Sequence, residues 1–82
     1  MSPAVLRSGP YSFYFVSHDL HEPPHVHIDR DVLSAKFWLN PVSLAYNLGF
    51  PPSELRKLEA LTSKHQKELL EAWNDYFRTE SR

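Results

Sequence analysis

Four of the chain's five histidines fall within ten residues, and this cluster is the part of the sequence best suited to chemistry. His25 and His27 are separated by one residue in the alternating segment His-Val-His-Ile-Asp, which ends at Asp29. Such alternation predicts a half-buried β-strand with His25, His27 and Asp29 on one face. His18 and His21 precede this strand in a polar, proline-ended segment that we expect to be a loop.

Three interpretations of the histidine pair are open. Two imidazoles that titrate near neutral pH can act as general base and general acid, as in metal-free RNA cleavage, with Lys36 stabilising a phosphate. No cofactor is then needed. Alternatively, His25 and His27 together with Asp29 and His65 could ligate zinc or another divalent transition metal. The third interpretation is that these polar residues only form the solvated face of a sheet.

Several other kinds of site are excluded by what the sequence lacks. The chain has no cysteine, which removes disulfides, thiolate zinc sites, iron–sulfur clusters and thiol nucleophiles. Its two glycines, Gly9 and Gly49, stand alone, so there is no glycine-rich phosphate-binding loop. The sequence also contains neither Gly-x-Ser-x-Gly nor His-Glu-x-x-His.

Length, charge and hydropathy indicate a small globular protein. The 82 residues suffice for one domain, which we take as residues 1–82. The formal net charge of −1 does not favour a protein that coats nucleic acid. The purely apolar runs are much shorter than the roughly 20 residues that a membrane-spanning helix needs. The N-terminal segment also lacks a signal-peptide pattern, so we expect a cytoplasmic protein with no membrane partner.

The first half of the chain has the composition of strands. Aromatic, β-branched or alternating segments that favour strands occupy residues 5–7, 11–17, 25–29 and 33–39. Residues 42–47 fit two patterns, because Asn40-Pro41 is a good helix start whereas Val42, Leu44 and Tyr46 alternate as in a strand. We favour a short strand there, which extends the predicted sheet over about residues 4–48.

The second half of the chain follows helical periodicity over about residues 54–77. Apolar residues including Leu55, Leu58, Leu69 and Trp73 form one stripe at 100° per residue. The pattern Ser63-x-x-Gln66 also allows a break near residues 62–63. The predicted fold is therefore α+β, with a small antiparallel sheet of three to five strands packed against one long C-terminal amphipathic helix.

The solvent-facing side of this sheet is predicted to carry other polar and aromatic residues. Tyr14, Lys36 and Trp38 should lie beside His25 and His27 there, and Tyr14 and Trp38 are candidates for binding a partner. His65 lies on the apolar stripe of the helix and should instead face the sheet. The three histidines therefore converge only if the strand is twisted, bulged or at the sheet edge.

Four segments together resemble a known family. They are Glu22-Pro23-Pro24-His25-Val26-His27, Ala35-Lys36-Phe37-Trp38-Leu39, Glu54-Leu55-Arg56, and Glu68-Leu69-Leu70-Glu71-Ala72-Trp73 with His65 ahead of it. They resemble a small bacterial family catalogued as domain of unknown function 4160, over roughly residues 3–77. Many members of that family have Phe where this chain has Val26, and the family pattern also favours a strand at residues 42–47.

The resemblance implies a functional context. Such proteins are often encoded beside another small domain in an arrangement similar to a toxin–antitoxin pair, which implies a small cognate protein partner. By motif match, His25, His27 and His65 are the positions that a family function would use. If this chain is the toxin, we expect a metal-independent ribonuclease that acts on RNA through His25 and His27. A non-catalytic antitoxin or adaptor, a metal-binding protein and a homodimer are alternatives.

Overall fold

A computed structural model describes residues 4–80 of the chain, with side chains to residue 78. Residues 1–3 and 81–82 of the predicted domain lie outside the described residues. Residues 4–80 form five strands followed by two helices: β1 (Ala4–Ser8), β2 (Tyr11–Tyr14), β3 (His25–Arg30), β4 (Leu33–Leu39), β5 (Val42–Leu48), α1 (Pro52–Lys64) and α2 (Gln66–Glu80). A short 3₁₀ turn, Ser17–His21, lies between β2 and β3.

The strands form one antiparallel sheet in which the spatial order β1-β2-β3-β4-β5 is also the order in sequence. This confirms the predicted α+β class and the strand over residues 42–47, and the five strands are the upper end of the predicted three to five. The alternation in the sequence is visible in β4, where Ala35, Phe37 and Leu39 are buried and the residues between them are half-buried. Val26 and Ile28 of β3 pair with Phe37 and Ala35 and are also buried.

The core lies between one face of the sheet and the two helices. Phe13 and Phe15 come from the N-terminal half, and Leu58, Leu69 and Trp73 come from the helices. The ring of Phe15 meets Trp73 edge-on at a centroid distance of 5.5 Å. Aromatic side chains thus join α2 to the sheet, which explains how a chain of 82 residues buries a continuous core.

The prediction of one long helix over residues 54–77 is wrong, because the helix breaks at His65. His65 has φ −104° and ψ 15°, and its N–H still donates to the Leu61 carbonyl, so it ends α1. The Thr62 hydroxyl donates to the Leu58 carbonyl, a bond that bends helices. The Gln66 side-chain amide donates to the Leu39 carbonyl of β4 at 2.7 Å. The last of these contacts attaches the start of α2 to β4.

An ion pair connects the start of α1 to the sheet. The Arg30 guanidinium donates to both carboxylate oxygens of Glu54, at 2.6 and 2.8 Å, and the Tyr11 hydroxyl donates to the same carboxylate at 2.7 Å. Hydrogen bonds from Arg30 and then Tyr11 lower the pKa of Glu54 from 4.5 to about 2. Burial, followed by the neighbouring Glu54 carboxylate, raises the pKa of Tyr11.

The lowered pKa of Glu54 predicts a specific acid sensitivity. A depressed carboxyl pKa contributes stability that is complete above about pH 4.5 and is lost as the pH falls towards about 2. We therefore expect Glu54→Gln to lower the urea midpoint at pH 7, and the difference from the unmodified protein to shrink between these two pH values. Glu59→Gln, on the exposed surface of α1, is the matched control. A difference that stays constant from neutral to acid pH would contradict this account.

Between Ala4 and Glu80, neither helix is both long enough and apolar enough to cross a membrane.

Candidate metal centre

The 3₁₀ turn places a carboxylate over the N-terminal end of β3. Within this turn, the Asp19 N–H donates to the Val16 carbonyl, and the Glu22 N–H donates to the Asp19 carbonyl, both at 3.0 Å. Pro23 and Pro24 then lead into β3, where the Pro24 carbonyl accepts from the N–H of Leu39. Backbone hydrogen bonds therefore hold the turn and the segment that follows it in place, and the Asp19 side chain points towards His25 and His27.

His25 is fully buried and both of its ring nitrogens have partners. Its Nδ1 lies 2.9 Å from the Pro23 carbonyl oxygen, and its Nε2 lies 2.7 Å from Asp19 Oδ2. The ring contacts two tryptophans, Trp38 on β4 and Trp73 on α2, at centroid distances of 5.5 and 5.1 Å. His25 was expected on a solvent-facing surface, but contact with the 3₁₀ turn and with α2 removes it from solvent.

His27 shares the same carboxylate oxygen. Its Nε2 lies 2.8 Å from Asp19 Oδ2, and its ring stacks on Tyr14 at a centroid distance of 5.2 Å. The side chain of His27 is 20% exposed and that of Asp19 is 14% exposed. The three residues therefore form a cluster that is closed around His25 and open to solvent beside His27.

The electrostatic state of Asp19 follows from these contacts. Burial alone would raise its pKa, but the hydrogen bonds from His27 and His25, together with the charge of the two rings, outweigh burial and lower it. Asp19 is therefore a carboxylate at neutral pH. Its two strong hydrogen bonds also fix the orientation of both rings.

The hydrogen bonds also assign the proton on His25. A carbonyl oxygen only accepts, so Nδ1 carries the proton that it donates to Pro23. Because a carboxylate only accepts, the contact between Nε2 and Asp19 Oδ2 then requires a second proton on the ring. A divalent cation at this point would take the place of that second proton and bind Nε2 directly.

The structure brings together only part of the predicted metal-ligand set. One ligand atom each from Asp19, His25 and His27 lies within 4.8 Å of the other two. Asp29 instead accepts hydrogen bonds from Tyr14 and Ser34. His65 lies at the junction of α1 and α2, where its Nδ1 pairs with Glu68 at 3.0 Å. Asp29 and His65 are thus absent from the converging group, and Asp19 occupies the place of the third ligand.

The other predicted site residues are engaged in contacts within the chain. Lys36 lies opposite His27 in the sheet, but its Nζ pairs with Glu22 at 2.6 Å and lies 4.8 Å from the centroid of the Trp38 ring. The predicted partner-binding residues, Tyr14 and Trp38, are both half-buried. Both aromatic rings therefore help to hold the histidines in place.

Sequence reasoning missed Asp19 and the exposed surface of β5. Asp19 lies six residues before His25, in a segment with no periodicity, so its position could not be deduced from strand geometry. A carboxylate close in sequence to a His-x-His pair was the available signal. Residues 42–47 were predicted as a short strand with no statement about its exposure, and Leu44, Tyr46 and Leu48 of β5 are each between 44% and 54% exposed.

Comparison with known proteins identifies a family over most of the chain. The family model described as Domain of unknown function (DUF4160) matches residues 11–74, which include the 3₁₀ turn, β3 and most of the two helices. This match confirms the resemblance noted in the sequence. No curated protein and no solved structure matches the chain.

Proposed function

The chain belongs to the family of domain of unknown function 4160, and we propose that it is a binding protein for zinc or a similar divalent transition metal. The observation that supports this proposal is the convergence of Asp19, His25 and His27 on one point. Two imidazoles and one carboxylate form a donor set that zinc readily accepts.

The surroundings of the cluster also favour a metal ligand set. Metal-binding histidines commonly donate their second ring N–H to a backbone carbonyl, which orients the ring and fixes its tautomer. His25 makes this bond to Pro23 through Nδ1, so its Nε2 points towards Asp19. The rigid Pro23–Pro24 segment holds that carbonyl in place, and Trp38 and Trp73 fix the plane of the ring.

Three converging protein groups would leave one position of a four-coordinate zinc ion to another ligand. Three protein ligands and an open fourth position are typical of catalytic zinc sites, whereas structural sites are closed by four protein ligands. The partial exposure of Asp19 and His27 gives water or a small anion access to that position. His18 and His21, which lie on the exposed 3₁₀ turn, are close in sequence and serve as matched controls.

The geometry supports metal binding better than metal-free acid–base catalysis by the pair. A general acid or base must come within hydrogen-bonding distance of its substrate. His25 has no exposed surface and both of its nitrogens are occupied, so it has no free atom to offer an RNA phosphodiester. A role in a toxin–antitoxin-like module is a separate proposal, which is supported only by the family resemblance.

Zinc titration of tag-free, metal-stripped protein tests the proposal. We expect one Zn²⁺ per chain by calorimetry and elemental analysis, because the three ligands lie on one chain. His27→Ala or Asp19→Asn should weaken binding at least about 100-fold, since each removes one of three ligands.

The controls separate this site from adventitious binding. His18→Ala and His21→Ala should leave the zinc affinity within about twofold of the unmodified protein, since neither is among the converging residues. Wild-type protein that binds no zinc would show that the hydrogen bonds of Asp19 to His25 and His27 serve only to hold the 3₁₀ turn against the sheet. Zinc binding that survives His27→Ala would also contradict the assignment.

A further inference from the structure

The outer edge of β5 is an unpaired strand with a largely apolar surface. Among residues 4–80, β5 hydrogen-bonds to β4 on one side and to no strand on the other. All of its residues from Ser43 to Leu48 are exposed. Three of them are large and apolar: Leu44, Tyr46 and Leu48, with exposed fractions of 44%, 53% and 54%.

β5 lacks the charges that usually protect a sheet edge. Natural edge strands avoid pairing with other chains through charged side chains, prolines, bulges or short length. The opposite edge, β1, has five residues and carries Arg7, whereas β5 has seven and carries no charge. A register shift opposite Lys36 and Phe37 is the one irregularity in β5. Residues 40–53, on and around β5, contain no charged side chain.

We propose that β5 pairs antiparallel with β5 of a second copy of this chain, which joins two sheets into one. Pairing of identical strands about a two-fold axis is self-complementary, so each contact occurs twice. An uncharged edge meets an equally uncharged edge in this dimer, and no ionic group loses its hydration without compensation. A charged partner strand would lose that hydration, whereas a second copy brings to this edge a strand that carries no charge from Val42 to Leu48.

The side-chain register supports the pairing. Tyr46 and Leu48 are opposite Lys36 and Ser34 of β4, so both project from the outer face of the sheet. Antiparallel pairing about a two-fold axis within β5 places the Tyr46 and Leu48 side chains of both copies on the same outer face of the joined sheet. The Asn47 side chain accepts a hydrogen bond from the Phe50 N–H and donates one to the Phe50 carbonyl, both at 3.0 Å. These bonds fix the end of β5, so little order has to be gained on pairing.

Measurement of the mass in solution tests this dimer independently of the metal centre. Sedimentation equilibrium of the full chain should give about twice the monomer mass of 9.6 kDa. Tyr46→Lys places like charges close to the two-fold axis and should raise the dimer dissociation constant at least about tenfold. Val5→Lys on the β1 edge and Val32→Lys at the β3–β4 turn are matched controls, at residues 36% and 89% exposed, and should remain dimeric.

Two results would overturn the dimer proposal. One is a wild-type chain that stays monomeric at the highest soluble concentration. The other is a dimer that Tyr46→Lys leaves intact or that Val5→Lys disrupts. All three variants alter exposed residues, so circular dichroism should show that each remains folded. Their zinc stoichiometry should equal that of the wild type, and this separates failure of the dimer from failure of the metal centre.

Discussion

Replacing His25 with alanine is expected to lower the free energy of unfolding by about 3 kcal/mol. The substitution removes a fully buried ring, its hydrogen bond to the Pro23 carbonyl and its hydrogen bond to Asp19. It also leaves a cavity between Trp38 and Trp73 that the neighbouring strands can fill only in part. Urea unfolding of metal-free protein at pH 7 measures the difference.

His27→Ala is the matched comparison for that measurement. His27 contacts the same carboxylate oxygen but is partly exposed, so its loss should cost about 1 kcal/mol. His21→Ala, on the exposed 3₁₀ turn, should have almost no effect. If His25→Ala and His27→Ala lowered the free energy of unfolding equally, the burial of His25 would not contribute to stability.

Zinc is expected to stabilise the folded chain strongly. At a free Zn²⁺ concentration 100 times the dissociation constant, binding to the native state alone adds about 2.7 kcal/mol to the free energy of unfolding. For a domain of this size, that corresponds to a rise of more than about 10 °C in the melting temperature. Thermal unfolding with and without zinc, monitored by circular dichroism, measures the shift.

The same experiment on variants assigns the shift to the proposed ligands. At the same zinc concentration, the melting temperature of His27→Ala should rise by no more than about 3 °C, because only two of the three ligands are left. Mg²⁺ should not stabilise the wild-type protein, since it prefers oxygen ligands. A zinc-dependent shift that His27→Ala retains would place the metal elsewhere in the chain.

The sheet was predictable from sequence because alternation is a local signal. In β3 and β4, each apolar residue of the alternating pattern faces the core, and the residues between them do not. The pattern Ser63-x-x-Gln66 allowed a helix break near residues 62–63, but neither its position at His65 nor the hydrogen bond between Gln66 and the Leu39 carbonyl was predicted. These residues are 27 positions apart, and no local pattern of helix formers reports such a contact.

One part of the candidate site was also predictable from local sequence, and another part was not. The shared face of His25 and His27 follows from their spacing, whereas the third group depends on how the chain turns before β3. Asp29 shares that face but bonds to Tyr14 and Ser34, while Asp19 reaches the pair from the 3₁₀ turn. The exposure of β5 was also not predictable, because an alternating apolar strand has the same sequence whether or not the fold covers it.

Diffraction at the zinc absorption edge, from crystals of metal-loaded protein, tests the metal centre most directly. The account predicts one anomalous peak per chain, about 2.0–2.1 Å from Nε2 of His25 and from Nε2 of His27. A carboxylate oxygen of Asp19 should complete the protein ligands at about 2.0–2.2 Å. A peak at other residues, or Asp19 still hydrogen-bonded to both histidines with no peak between them, would contradict the proposed function.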